Sequence, residues 1–327
     1  MKITLTELQD AQKIVYSSML PTPQICWPLL SERIAAEVWV KHENHTAVGA
    51  FKIRGGLNFM THLHQDQPDC PGVITATRGN HGQSVALAAA KSGMTATIVV
   101  PFGNNPEKNT AMKALGGNLI EYGEDFQEAK EYAMKKSADE KLLMVPSFHP
   151  WLVAGVGTYS LEFLRSVDGL HTVYVPIGQG SGICGMISAR GALGLDVKIV
   201  GVVAENAACY ALSFSKGAAV STNSADTLAD GLACRVPDDR ALAMILKSVD
   251  RIVSVSENEI LDAMGYYFTD THNLAEGAAA APLAALMQEK QKMAGHKVGL
   301  ILSGGNSDRA TYARALSRIT DEAVGRA

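Results

Sequence analysis

Four short stretches of this sequence carry residue types that could do chemistry together. Gly49-Ala50-Phe51-Lys52-Ile53-Arg54-Gly55-Gly56 sets a lysine among glycines, just after the strand-like run Glu37 to His42. A lysine amine can hold a carbonyl cofactor covalently, and it takes up protons as a base once burial lowers its pKa. Read alone, it is as readily a solvated residue in the first turn of a helix. Asn80-His81-Gly82-Gln83 follows an apolar strand and opens a helix of small residues, with Asn80 well placed as an N-cap. A helix start offers free N–H groups and a positive dipole end, so Thr77, Arg78, Gly79 and His81 form a candidate clamp for a substrate carboxylate.

Gly178-Gln179-Gly180-Ser181-Gly182 also stands between a strand and a helix. Its glycines let several backbone N–H groups converge on an anion, and Ser181 adds a hydroxyl. A dinucleotide would need a third glycine in the usual register and an acidic residue ending the next strand, where Val203 and Ala204 stand instead. A phosphate monoester fits this loop better. Ser303-Gly304-Gly305-Asn306 ends the last strong strand, which places Ser303 at the carboxyl edge where open α/β sheets bind ligands. Its structural alternative is a serine turn into a helix capped by Asn306.

The elements that must position these residues alternate along the chain. A capping box at Thr4 and Glu7 opens a first helix, and Pro21-Thr22-Pro23 forces an extended passage toward Cys26. Strands are expected at 72–77, 96–101, 118–122, 142–145, 172–177, 197–204, 252–255 and 298–303. Most are near-continuous Val/Ile/Leu runs, as in parallel strands covered on both faces. Helices are expected at 81–92, 105–115, 126–137, 152–166, 184–193 and 306–317, which makes the class α/β. Residues 216–237 are the least regular and suit a loop over a site.

Composition narrows the partners. The chain has 327 residues, 47% of them hydrophobic and 19% charged, with a net charge of −4. That balance argues against nucleic acid or an anionic membrane surface as the main partner and for local binding of a small anion. Five scattered cysteines without a Cys-x-x-Cys pair read as reduced thiols. No long apolar segment suggests a leader or a span, so a cytoplasmic protein is expected.

Lys41-x-Glu43, the Lys52 stretch, Gly79-Asn80-His81-Gly82-Gln83, Gly155-Val156-Gly157-Thr158, the Gly178 to Gly182 loop, Ala229-Asp230-Gly231 and Ser303-Gly304-Gly305-Asn306 resemble, in order and spacing, the fold-type II pyridoxal-phosphate enzymes. Within them the resemblance is to the serine/threonine dehydratase and serine racemase branch. It implies a tryptophan synthase β-like fold of two open twisted sheets flanked by helices. The large lobe would comprise residues 1–57 and 149–327, with a small lobe of residues 58–148 inserted. It also implies that Lys52 links covalently to pyridoxal 5'-phosphate, with Phe51 near its ring, Asn80 on the ring hydroxyl, Gly178, Gln179, Gly180, Ser181 and Gly182 on the phosphate, and Ser303 at the pyridine nitrogen. The implied activity is β-elimination from L-threonine, L-serine or 3-hydroxyaspartate, giving a 2-oxo acid and ammonia. Alternatives are a racemase or β-replacement enzyme of the same fold, a phenylserine-type dehydratase, or a binding module without turnover. Family members usually assemble as dimers or larger oligomers.

The sequence departs from that pattern in places. Arg78 stands where dehydratases carry a small residue and racemases a catalytic serine. A guanidinium stays protonated, which disfavours two-base racemisation. It suits a bidentate contact to a substrate side-chain carboxylate, as in 3-hydroxyaspartate, or a structural ion pair with an acidic neighbour. Ala50 replaces the usual serine. Val203, Ala207 and Ala208 stand where metal-binding relatives place carboxylates, with Glu205 as a shifted substitute, so the divalent metal site of those relatives is not expected. The sequence ends at Ala327 without the regulatory domain of feedback-controlled threonine dehydratases, and a catabolic role is expected.

Overall fold

A computed structural model describes residues 1–318. Its framework is two sheets. The larger has six strands in the order β1 (Gln24–Cys26), β2 (Glu37–His42), β10 (Lys297–Leu302), β7 (Thr172–Pro176), β8 (Lys198–Ala204) and β9 (Arg251–Val255). Only the β1–β2 pair is antiparallel. The smaller sheet is all parallel, in the order β5 (Gly117–Glu121), β4 (Ala96–Val100), β3 (Val73–Ala76) and β6 (Leu143–Met144).

The continuous apolar runs are buried as expected: every residue of β3 is buried, as is all of β8 after Lys198 and all of β10 after Lys297. Strand bounds fall within one or two residues of those expected. The three-residue β1 is an addition, because a strand that short between prolines has no periodicity to read. The first helix, Leu5–Tyr16, carries the full Thr4/Glu7 capping box.

Helices bind the two sheets together. The Lys52–Asp66 helix packs on both the Asn80–Lys91 and Pro150–Ser166 helices. Its approach to the latter is close enough that a Cβ on Gly155 would overlap the Arg54 carbonyl oxygen. Ser84 Oγ donates to the Lys52 carbonyl at 2.7 Å. Beneath this junction Lys41, Glu43, Arg54 and Glu162 form a buried quartet of two positive and two negative charges.

Candidate active site

Strand order brings distant residues to one edge. β10 lies between β2 and β7, so the segments leaving the carboxyl ends of these three strands are neighbours. The segment after β2 is stitched to the end of β10: Phe51 N–H donates to Ser303 O at 3.0 Å, Gly305 N–H donates to Gly49 O at 2.9 Å, and Ala50 bridges Gly304. Lys52 therefore begins its helix beside Ser303, and the Gly178 loop leaves β7 on the other side of β10.

Lys52 is half-buried, and among the described residues its Nζ makes no ion pair or hydrogen bond; it lies 5.2 Å from the centroid of the Phe51 ring. Desolvation pulls its amine down to about 8, against a smaller upward pull from Glu276. Phe51 packs edge-on against Tyr159 at 6.0 Å between centroids, and a Cβ on Gly182 would lie 3.8 Å from its ring. Phe51 thus spans from the lysine to the glycine loop.

In that loop Gly180 has φ +96°, which a side chain would strain, and a Cβ there would stand 2.6 Å from Ala241 Cβ. A Cβ on Gly178 would overlap the Gly231 carbonyl oxygen. The Ser181–Ala192 helix that follows has no side-chain cap, so its first N–H groups are open to an anion, and among the described residues the Ser181 hydroxyl makes no hydrogen bond. Gln179 is anchored twice, its side-chain Nε2 donating to Cys234 Sγ at 3.4 Å and its main-chain carbonyl accepting from Tyr210 Oη at 3.3 Å. Ser303 is buried at the end of β10, its hydroxyl likewise without a hydrogen bond among the described residues.

The turn after β3 corrects the expectation for Asn80. The N-cap of the Asn80–Lys91 helix is Gly79, and the capping oxygen comes from Thr77, whose hydroxyl accepts from Gly79 N–H at 3.0 Å and Gly82 N–H at 3.4 Å. Thr77 and Gly79 are therefore committed to the turn itself. The amides of Asn80 and His81 are left for an incoming carboxylate.

His81 is held as a neutral imidazole at about 3 by desolvation and by the Lys52 charge, and its Nε2 is sealed from solvent without a partner. It can offer a carboxylate its main-chain N–H but no imidazolium. Arg78 is exposed and, among the described residues, makes no ion pair, so its structural alternative is not realised. Asn306 caps no helix either: the last described helix begins at Arg309, capped by Asp308, because Gly304 and Gly305 stay extended against the Gly49 segment.

Sequence reasoning missed two charged groups here. Lys108, buried on the Pro106–Ala114 helix, pairs with Asp230 at 2.6 Å, and a Cβ on Gly79 would lie 3.0 Å from Lys108 Cδ. Asp230 belongs to the irregular 216–237 stretch, so the expected loop does reach the crevice. Glu276 is buried, and desolvation pushes its carboxyl up to about 7. Neither had a local signal, since each meets its partners only across the fold. Among the described residues no group of three or more His, Cys, Asp or Glu side chains is placed to hold a metal ion.

Comparison with known proteins gives the same direction. The family model described as "Pyridoxal-phosphate dependent enzyme" matches residues 15–304. The chain is 36% identical to an L-threonine ammonia-lyase of Thermotoga maritima over 94% of this chain and 76% of that protein. It is 32% identical to an L-threo-3-hydroxyaspartate ammonia-lyase of Saccharomyces cerevisiae over 96% of each. Among solved structures, maize serine racemase superposes with a TM-score of 0.90 at 28% identity, covering 97% of this chain and 98% of the other. The processed threonine deaminase isoform 2 of Solanum lycopersicum superposes with a TM-score of 0.88 at 30% identity, covering 97% and 95%.

The residues present fit the cofactor of that family. An unbonded lysine amine of lowered basicity suits its aldehyde, a glycine cradle on an uncapped helix start suits its phosphate, and an aromatic ring spans the gap between them. By family match, fold and fit, this chain belongs to the fold-type II pyridoxal-phosphate dependent enzymes.

Proposed function

We propose that the chain is an ammonia-lyase that dehydrates a β-hydroxy amino acid to a 2-oxo acid and ammonia. The observation that carries this reading is Lys52, an amine without a bonding partner among the described residues, its basicity lowered by burial where three strand ends meet. Pyridoxal phosphate, when bound, supplies an electron sink for the bond broken at the substrate α-carbon.

The protein residues do the rest. Lys52 holds the cofactor and, once released as a free amine, takes the α-proton; a value near 8 leaves a useful neutral fraction at physiological pH. Gly178, Gln179, Gly180, Ser181 and Gly182 hold the phosphate, Asn80 the ring hydroxyl, and Phe51 packs beside the ring. Ser303 meets the pyridine nitrogen as a neutral hydroxyl, a weaker support for negative charge in the ring than a carboxylate. The amides of Asn80 and His81 take the substrate carboxylate.

Arg78, exposed at this turn and without an ion pair among the described residues, favours a substrate with a second carboxylate, and 3-hydroxyaspartate is our first choice. A division at residues 58 and 148 into a large and a small lobe is supported by the smaller sheet lying wholly between Val73 and Met144. Assembly as a dimer or larger oligomer and a cytoplasmic setting complete the reading.

The test is ammonia release from L-threonine, L-serine and the threo and erythro forms of 3-hydroxyaspartate. The purified protein should show a visible absorbance band that Lys52→Ala abolishes together with turnover. Arg78→Ala should lower the ratio of hydroxyaspartate to threonine turnover. Absence of ammonia from every one of these substrates would overturn the lyase reading, and an unchanged ratio would overturn the role of Arg78.

A further inference from the structure

Asn80 opens a helix that it does not cap, so its carboxamide is free to serve elsewhere, and it is held from both ends. Nδ2 donates to Glu276 Oε1 at 2.7 Å, and Oδ1 accepts from Asn306 Nδ2 at 2.8 Å. Asn306 is itself fixed, its Nδ2 also donating to the Val48 carbonyl at 2.8 Å. Glu276 occupies the N-cap position of the Gly277–Gln288 helix but makes no cap there. Its main-chain N–H donates to Gly304 O at 3.1 Å, and its side chain turns back toward Asn80, with Oε1 2.5 Å from where a Cβ on Gly304 would stand. A buried carboxylate that forgoes its own helix start to reach an amide on another helix carries a desolvation cost that its hydrogen bond must offset.

A carboxamide has one oxygen and two N–H groups. With the oxygen taken by Asn306 and one N–H taken by Glu276, Asn80 keeps a single N–H, and the amide cannot flip without losing both bonds. We propose that Glu276 is a positioning residue: with Asn306 it clamps Asn80 so that this last N–H is fixed toward the ring hydroxyl of pyridoxal phosphate. The proposal rests on the reading of Asn80 given above. A charged acceptor on one N–H of an amide makes the stronger kind of hydrogen bond, so Glu276 is the firmer jaw and Asn306 the weaker. The groups facing Glu276 are Asn80, Lys52, Lys108 and Asp230: desolvation and the Asp230 charge push its carboxyl up, while Lys108, the Asn80 N–H and Lys52 pull toward the carboxylate that makes the stronger bond.

The test titrates apoprotein with pyridoxal phosphate alone and reads the dissociation constant by quenching of the three tryptophans. Wild type, N80A, E276A, E276Q and the N80A/E276A double variant are compared, with thermal melts as a folding control. N80A and E276A should each weaken binding about 10-fold, the scale of one hydrogen bond to a charged or well-oriented group. The double variant should be no weaker than N80A alone, because Glu276 acts through Asn80. E276Q, which keeps an acceptor oxygen, should stay within about 3-fold of wild type.

Equal losses from E276A in the wild-type and N80A backgrounds would overturn the clamp and leave Asn80 in place. An unchanged constant in N80A would overturn the reading of Asn80 and the clamp with it. Should E276A fail to fold, Glu276→Asp, which keeps the charge and shortens the reach, carries the same cycle.

Discussion

Replacing Arg54 by methionine removes the centre of the buried quartet two residues beyond Lys52. Arg54 Nε and Nη2 donate to Glu43 at 2.7 and 3.0 Å, while Nη1 and Nη2 donate to Glu162 at 2.6 and 3.0 Å. Nη1 also reaches Thr158 at 3.0 Å and Nη2 reaches Thr22 at 3.2 Å. Two carboxylates balanced by two cations become two carboxylates facing Lys41 alone, all buried.

Breaking a buried pair by removing one partner costs about 3–5 kcal/mol, because the remaining charge is left uncompensated. At about 2 °C per kcal/mol for a chain of this size, the melting temperature should fall by about 6–10 °C. The pH dependence separates this from simple loss of packing. In the wild type, Arg54 and Lys41 outweigh desolvation and hold the Glu162 carboxyl below its usual value. A depressed carboxyl stabilises above its unfolded pKa and loses that contribution as pH falls through the folded one. Without Arg54, desolvation dominates and pushes the carboxyl up, so protonation at pH 5 relieves the excess charge.

The deficit of Arg54→Met, measured by urea denaturation of the apoprotein, should therefore be smaller at pH 5 than at pH 8. A deficit under about 1 kcal/mol would refute the argument that these charges are mutually compensating. So would a deficit of 3–5 kcal/mol that did not change with pH, since a cavity alone would give that.

Three further outcomes follow from the site. Lys52 titrates lower in the fold than the unfolded value of 10.5, so its penalty is fully present below about 8 and disappears as pH rises toward 10.5. Apo Lys52→Met should accordingly melt higher than apo wild type at pH 7, with the gap closing as the pH is raised to 10. Gly178→Ala must push the phosphate loop away from Gly231, a strain of about 1–3 kcal/mol that should weaken pyridoxal phosphate binding by 5-fold or more in an equilibrium titration. Lys108→Met cuts the ion pair between the Pro106–Ala114 helix and Asp230, and steady-state kinetics should show KM raised about 10-fold with kcat changed far less. A charge-swapped Lys108→Asp/Asp230→Lys chain should recover part of that loss.

What was legible in the sequence had local causes. The Val/Ile/Leu runs of β7, β8 and β10 announce strands buried on both faces, and glycines bounding Lys52 and filling the 178–182 loop announce places where backbone must approach something closely. Read locally, Asn80 is an N-cap, because capping is what an asparagine at a helix start does by itself, and that local reading is the one the structure overturns. Thr77, three residues earlier, supplies that oxygen, and only then is the Asn80 amide available to others.

Glu276 lay beyond local reading altogether. It precedes an alanine-rich helix with no motif around it, and its function arises from a register between elements: β10 must end at Leu302 for Gly304 to receive the Glu276 N–H, and the Asn80–Lys91 helix must face that point. A carboxylate whose neighbours are set by three separate segments has no signature in any one of them. The same dependence explains why its substitution should be felt at the cofactor: moving any of the three segments moves the amide that the ring hydroxyl would meet.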